Sequence, residues 1–429
     1  MAKKALLTID GVHRKVKNGF LTVDSVHHKV KKAYLTVGGV YRPCFGGGGG
    51  TLEYYGAVDV TAGPYVYDAG LGGGASANSK YAIFRMPYNP ASEEYIATTE
   101  AAVDENLTFV APRNSISNYA DTKFGVAATA GDKVIFAHGM GLYYDEYLGY
   151  WAEAPYYMCG YDASLTLTGN YGSENQGDGV AAASFGGHAW FAGGQIHGWQ
   201  WDYDNDEEYE FLEYNHHVYA YNASFTQKMY NTALGQGLAY VASAASAHNV
   251  MFMGGQSYNN EYGTNSGVAF KGDSFTMVNP SAMSVRRHSH AAAGVGEYIL
   301  FVGGSGSTSN AGYKTVDIYN KSLTRTVGTD LPEGRECMLA TSFGDYAIFA
   351  GGVSNQVSKE DAYAYDTSLT RTEYKMSKNV NGARGNLLGP EFSPNSGCAA
   401  IGNFALFGPV YTHGTGSNTT YGFEAFTIA

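Results

Sequence analysis

The sequence predicts an all-β protein, a seven-bladed β-propeller preceded by a small basic arm of β-hairpins. Three observations predict it. Short apolar runs recur seven times, most of them about 50 to 60 residues apart, the spacing at which a repeat builds one four-stranded blade. They are Tyr65 to Gly70, Val134 to Gly139, Ala189 to Gly194, Val250 to Gly255, Ile299 to Gly304, Ala347 to Gly352 and Ala405 to Val410. Turn sequences built on Asp or Asn keep the same beat, and a different, shorter repeat occupies the first 45 residues.

The arm comes first. Residues 1–45 read LLTIDGVHRKVKNG, FLTVDSVHHKVKKA and YLTVGGVYRPCF, with Leu7, Leu21 and Leu35 in register and Val12, Val26 and Val40 likewise. Each unit is strand, tight Asp-Gly, Asp-Ser or Gly-Gly turn, strand. A lone hairpin this short is marginal in water, so the units are expected to stack on one another, on sister chains or on a host structure. Nine of the 27 Lys and Arg fall in the arm, against two of the 39 Asp and Glu. The arm is therefore basic and the rest of the chain acidic. Residues 46–50, five glycines, form a flexible joint; no Lys-Ser or Lys-Thr and no helical pattern follows, so they are not a phosphate cradle.

Residues 51–429 make the propeller. Before the apolar runs come stretches of small residues, such as Gly125 to Gly131 (GVAATAG), His290 to Gly296 (HAAAGVG) and Cys398 to Gly402 (CAAIG). Small side chains suit an innermost strand crowded around a central axis. After the apolar run and a Tyr-rich third strand comes the turn: DENLT from Asp104, DASLT from Asp162, NASFT from Asn222, GDSFT from Gly272, NKSLT from Asn320 and DTSLT from Asp366. Asp, Asn and Ser bond their own backbone in turns, and the β-formers after them start the outer strand. The last repeat stops after a third strand near Tyr421 to Ile428, whereas Thr51 to Tyr55 looks like an outer strand without a hairpin of its own. The second is expected to complete the blade of the first, which removes two unpaired edges.

Composition agrees with sheets and turns: 36 tyrosines, 57 glycines and only 15% charged residues. Four cysteines, Cys44, Cys159, Cys337 and Cys398, are far apart and make neither a disulfide framework nor a zinc pattern. The start MAKKALLTIDG has too short an apolar patch for a signal peptide or membrane anchor. Nucleic-acid binding by the acidic propeller is not expected, because phosphate binding needs concentrated positive charge.

Two long adjacent insertions mark where the propeller would bind. They are Met140 to Met158 in blade two and Gln195 to His217 in blade three, each between second and third strands. Long loops on a rigid scaffold commonly carry function. Tyr150, Trp151, Trp199, Trp201 and Tyr203 offer flat aromatic faces with flanking carboxylates, which suits a sugar ring or a protein partner; packing of the insertions against each other is the alternative. Asp202, Asp204, Asp206 and Glu213 stand at positions 1, 3, 5 and 12 of a calcium-type loop, although Glu207 replaces the turn glycine and no helices flank it. Calcium is the one cofactor that this spacing suggests. Paired carboxylates for glycoside hydrolysis could be drawn from Asp145, Glu146, Glu153 or Glu207, but the sequence does not give their separation.

The order inner strand, apolar strand ending in Gly-Gly, Tyr-rich strand, Asx turn and outer strand resembles the kelch family of propellers, best over Arg286 to Gly304 and Arg335 to Gly352. The Trp usual on a kelch outer strand is absent. Arg287 and Arg335 lead into inner strands, where they would either grip an anionic ligand in the funnel or tie blades together. The tandem basic repeats ahead of a glycine joint resemble those of structural proteins of bacteriophages and prophages, especially tail-associated ones. Together these resemblances imply a virion protein without catalytic residues, of tail-fibre or receptor-binding type, made in the host cytoplasm without a signal peptide. Its arm would hold other virion proteins or sister chains, and its loop face would meet a bacterial surface glycan or protein. The alternatives are a glycan-degrading enzyme of the virion and a bacterial protein-binding scaffold.

Overall fold

In a computed structural model, residues 50–62, 74–85, 100–110, 121–123, 126–137, 140–145, 150–154, 157–172, 179–202, 207–257, 262–306, 312–380, 397–413 and 419–428 are described, with six short strands of the arm. Those strands pair as three two-stranded hairpins, Leu6–Ile9 with Val12–Lys15, Phe20–Val23 with Val26–Lys29, and Ala33–Val37 with Val40–Phe45. Leu7 faces Arg14 across the first ladder, Leu21 faces His28 and Leu35 faces Arg42, so the three repeats share one register.

The remainder is a seven-bladed β-propeller: seven four-stranded antiparallel sheets in chain order. The second strands of the blades are Tyr81–Arg85, Lys133–Ala137, His188–Ala192, Asn249–Met253, Tyr298–Val302, Tyr346–Ala350 and Phe404–His413. Each is apolar on both faces because a neighbouring blade covers each side; in the fourth blade all five residues are buried. Inner strands such as Ala181–Phe185 and Gly397–Ile401 alternate buried and half-buried positions, one face to a seam and one to the axis. Outer strands such as Gln227–Tyr230 are mostly exposed.

Blade one departs from expectation. Its second strand is Tyr81–Arg85, preceded by inner strand Ala75–Ala77 and followed by Glu100–Asp104 and Phe109–Val110. The run Tyr65 to Gly70 lies outside the described residues and is not this strand. What joins the true pair is an Asn78 turn, whose side-chain oxygen accepts from the amides of Lys80 and Tyr81, in place of the glycine turn of blades two, three, five, six and seven.

The seventh blade takes its fourth strand from the start of the propeller. Leu52–Ala62 pairs antiparallel with Thr419–Ile428, from Leu52 opposite Ile428 to Ala62 opposite Thr419. The closing strand is thus twice as long as Thr51 to Tyr55 alone would give.

Seven buried apolar clusters sit one at each seam between blades. In the seam of blades three and four, fully buried Trp190 stacks on Tyr230 and meets Phe270 and Phe275. Burial of one such side chain contributes about 2 to 3 kcal/mol, so the clusters, not local propensity, hold the ring.

Two local devices register the seams among the described residues, a turn knob at six and a double glycine at four. In the Asx turns a side-chain oxygen accepts two amides, as Asp104 does from Asn106 and Thr108, and Asp366 from Ser368 and Thr370. This holds the intervening apolar residue at positive φ, and Phe275, whose turn starts at Gly272, takes the same geometry: Leu107, Leu165, Phe225, Phe275, Leu323 and Leu369 lie between 52° and 63°. A bulky residue there carries strain of about 1 kcal/mol. Each is repaid by packing as a knob into the cluster shared with the preceding blade. The second device is the double glycine. In blades three to six the second glycine amide donates to the residue leading into the next blade: Gly194 to Leu238, Gly255 to Arg287, Gly304 to Arg335 and Gly352 to Val380, at 2.7 to 3.0 Å. Both glycines have positive φ, and a Cβ on Gly303 or Gly351 would meet the carbonyl oxygen of Arg335 or Val380 at 2.4 or 1.7 Å.

Candidate functional site

The two insertions leave the ring where second strands run into third strands. In blade two, Met140–Asp145 and Tyr150–Ala154 form a hairpin, and Asp121–Lys123, from the connection between blades one and two, pairs with its first strand. Both kinds of connection therefore meet at one end of the propeller. In blade three, Gln195–Asp202 and Glu207–Tyr214 form a longer hairpin.

Backbone register places the aromatic positions. Tyr150 lies opposite Asp145 and Trp151 opposite Tyr144. In the longer hairpin Trp199 lies opposite Glu210 and Trp201 opposite Glu208, with His197 opposite Leu212. Strand alternation assigns all six of these positions to one face of that hairpin. Tyr203, Asp204 and Asp206 lie outside the described residues. For hydrolysis, Asp145 and Glu153 fall on opposite faces of their ladder, since Glu153 pairs with Leu142, so these two do not make an acid pair.

The root of the long hairpin is fastened to blade four. Asn215 and Gly194 bond through their main chains, Leu238 donates to Asn215, and the Gln195 amide donates to the Tyr240 hydroxyl at 3.0 Å. Tyr240 belongs to a chain of main-chain bonds running from blade to blade around the axis. Its amide donates to Gly179, its carbonyl accepts from Ser289, and the Ser289 carbonyl accepts from Cys337. Tyr240, Ser289 and Cys337 all hold φ between 52° and 57°. Non-glycine residues in that region are uncommon, and three in matching places mark a position that neighbouring blades over-determine. The fixed end of the ring is thus the platform on which the hairpins stand.

The calcium-loop reading of the long insertion is corrected by the register. Asp202 pairs with Glu207 at the tip, whereas Glu213 pairs with Ile196 near the root. Six further residues along a strand is about 20 Å, so the two do not close one loop. The segment carries β-formers on both arms, and an extended ladder wins over a coordinating turn. Among the described residues no group of three or more His, Cys, Asp or Glu is placed to hold a metal ion.

Of the two readings of Arg287 and Arg335, ligand grip or tie between blades, their surroundings fit the tie. Both side chains are fully buried. Arg287 donates to the carbonyls of Gly303 and Thr315 at 3.0 Å and pairs with Asp317, which is itself fully buried and also takes Arg325 and Ser284. Burial lowers the Arg287 pKa to about 10 against the pull of Asp317, which leaves the guanidinium charged at neutral pH. Arg335 donates to the Gly351 carbonyl, to Asp361 and Glu333 at 2.7 Å, and to the Tyr363 hydroxyl. Desolvation would raise the carboxyl of Asp361, yet hydrogen bonds from Arg335 and Lys375 hold it below its ordinary value; Glu333 is held low in the same way by Lys359 and Arg335. Each arginine has its main chain bonded to the preceding blade and its guanidinium bonded within its own. Neither has a face to offer a ligand.

The knob residues of the Asx turns escaped sequence reading, although the signal was present: Leu or Phe occupies the fourth place of all six turn motifs.

No family model matches the chain, and no curated protein matches its sequence. Among solved structures, that of YjhT is similar with a TM-score of 0.52 at 10% identity, over 73% of this chain and 99% of YjhT. That likeness is one of fold. Among the described residues no helix is long and apolar enough to cross a membrane.

Proposed function

We propose that this protein is a noncatalytic attachment protein of a bacteriophage or prophage virion, built on a kelch-like propeller that recognises a bacterial surface glycan through its hairpin-bearing end. The observation that carries the reading is the cross-strand register of the blade-three hairpin, which sets Trp199 opposite Glu210 and Trp201 opposite Glu208 on one face. Indole faces stack on the apolar face of a pyranose while adjacent carboxylates accept its hydroxyls. Support for the kelch likeness comes from Arg287 and Arg335, which lead into inner strands and act between blades, and from the Gly-Gly pairs. The arm, with three hairpins in one register and a basic excess, suits repeated docking on other virion proteins.

The test is binding of the labelled full chain to bacterial cells before and after periodate oxidation of their surface glycans. Replacing Trp199 and Trp201 by Ala should weaken binding at least tenfold and leave the melting temperature within about 1 °C, because aromatics at a binding face act mainly on the complex. A double variant that binds normally but melts several degrees lower would make the tryptophans structural. Release of reducing ends from the treated glycan would favour the enzymatic alternative.

A further inference from the structure

One buried titratable group is used by none of the devices described so far. His290 stands directly before the inner strand of blade five, at the position held by Val241 in blade four and Met338 in blade six. The equivalence is visible in packing: Val241 and Met338 lie against Gly255 and Gly352, and His290 lies against Gly304. The imidazole is wedged into the seam of blades four and five, against Gly254 on one side and Gly304 and the Phe301 ring on the other. It is 7% exposed, and neither ring nitrogen has a hydrogen-bond partner among the described residues. A buried polar group without partners costs roughly 1 to 3 kcal/mol in proteins, and a hydrophobic residue at this position would avoid that cost.

We propose that His290 makes the seam between blades four and five an acid-labile joint, which holds while the imidazole is neutral and loosens when it takes up a proton.

The charged groups around it all oppose protonation. Arg287, three residues earlier and fully buried, is a permanent cation, and His288 is a second basic group; Met283 and the two glycines add none. The only carboxylate nearby in the clamp, Asp317, is already taken by Arg287, Arg325 and Ser284. Burial first, and then Arg287 and His288, hold His290 well below an ordinary histidine. In the unfolded or opened chain it titrates near 6.5. The opened state therefore binds the extra proton first, and the joint's stability, complete above about pH 6.5, is lost as pH falls from there toward the folded value. The seam of blades six and seven, whose second glycine Gly352 has Met338 rather than a histidine against it, serves as an internal control.

The experiment has two arms. In the first, His290→Met copies blade six, and unfolding midpoints of the full chain are followed from pH 7.5 to 5.0. Relative to this variant, the wild-type unfolding constant should rise by up to tenfold per pH unit below 6.5, the limit for one proton. Parallel profiles would overturn the proposal. In the second, which needs no variant, hydrogen exchange of wild-type protein is compared at pH 7.5 and 5.5 after correction for intrinsic rates. The Gly255 amide, bonded to Arg287 across the labile seam, should lose protection, whereas the Gly352 amide, bonded to Val380 across the control seam of blades six and seven, should keep it. Equal change at both amides would sink the idea even if His290→Met failed to fold.

Discussion

The Tyr54 hydroxyl donates to the buried carboxylate of Glu424. Tyr54 stands on the closing strand and Glu424 on the strand that ends the chain, so this contact joins the two extremities of the propeller. Ser377, at the end of the sixth blade, donates its amide and hydroxyl to the same carboxylate at 3.1 and 2.7 Å. Leu52 is held likewise: it donates to the Tyr346 hydroxyl and accepts from Tyr374 at 2.8 Å.

Removal of residues 1–45 should leave the melting temperature of the propeller nearly unchanged. Removal of 1–56 takes away Leu52 and Tyr54, exposes the seventh blade's edge and leaves Glu424 buried with fewer donors, so it should lower the melting temperature by many degrees. Equal melting of both truncations would refute strand exchange as the closing device.

Tyr54→Phe isolates the hydroxyl. Desolvation and the bond to Glu424 raise the tyrosine pKa, so the phenol stays a donor throughout neutral pH. Its loss should cost about 1 to 2 kcal/mol in chemical denaturation, and a double-mutant cycle with Glu424→Gln should show strong coupling.

Gly235, outside the double-glycine pairs, and Gly351, within one, separate strain from collision. Gly235→Ala meets nothing within 4 Å at φ +75°, so it should cost only about 1 kcal/mol of backbone strain. Gly351→Ala has the same sign of φ but drives its Cβ into the Val380 carbonyl. It should cost several times more, and similar values for both would show that φ alone selects glycine there.

Leu323, 4% exposed in the seam of blades four and five, tests the turn knobs. Leu323→Gly relieves a positive φ of 63°, worth about 1 kcal/mol, but deletes a buried leucine, worth about 2 to 5 kcal/mol. Net destabilisation is expected; a stabilised variant would mean that the turn, not the packing, sets the conformation.

Asp317→Ala should be among the most damaging single changes, at about 3 to 5 kcal/mol, because it strands the fully buried Arg287 cation. At the clamp of blade six the carboxyls of Glu333 and Asp361 are depressed, so their contribution is present above the unfolded carboxyl range and is lost as pH falls through the folded values. Glu333→Gln should flatten that acid limb of the stability profile.

Much of the ring was legible because its physics is periodic. Small inner strands, apolar second strands and Asx turns each answer to local sterics and to burial between two neighbours, and these forces leave the same residues at the same spacing. Tyr65 to Gly70 misled because an apolar alternation does not say which sheet it joins; the Asn78 turn, not the strand pattern, marks blade one. The calcium spacing misled because ligand positions counted along a chain mean nothing once the chain is a ladder, where Glu213 travels to the root and Asp202 to the tip. For Arg287 and Arg335 the sequence offered both a grip and a clamp. Only the location of Asp317 and Asp361 decides between them, and partners 26 to 30 residues away leave no local trace.

The seam devices also say how such a ring can be cut and recombined. Each turn knob belongs to one blade but is housed by the blade before it, and each second glycine is fixed by the lead residue of the blade after it. A blade lifted whole between its boundaries would lose both halves of two joints. A graft that spares the joints is instead an insertion within one blade, at the connection between second and third strands, where the hairpins of blades two and three already stand. A new recognition hairpin placed there in another blade would inherit a root set by its neighbour and leave every joint of the ring unbroken.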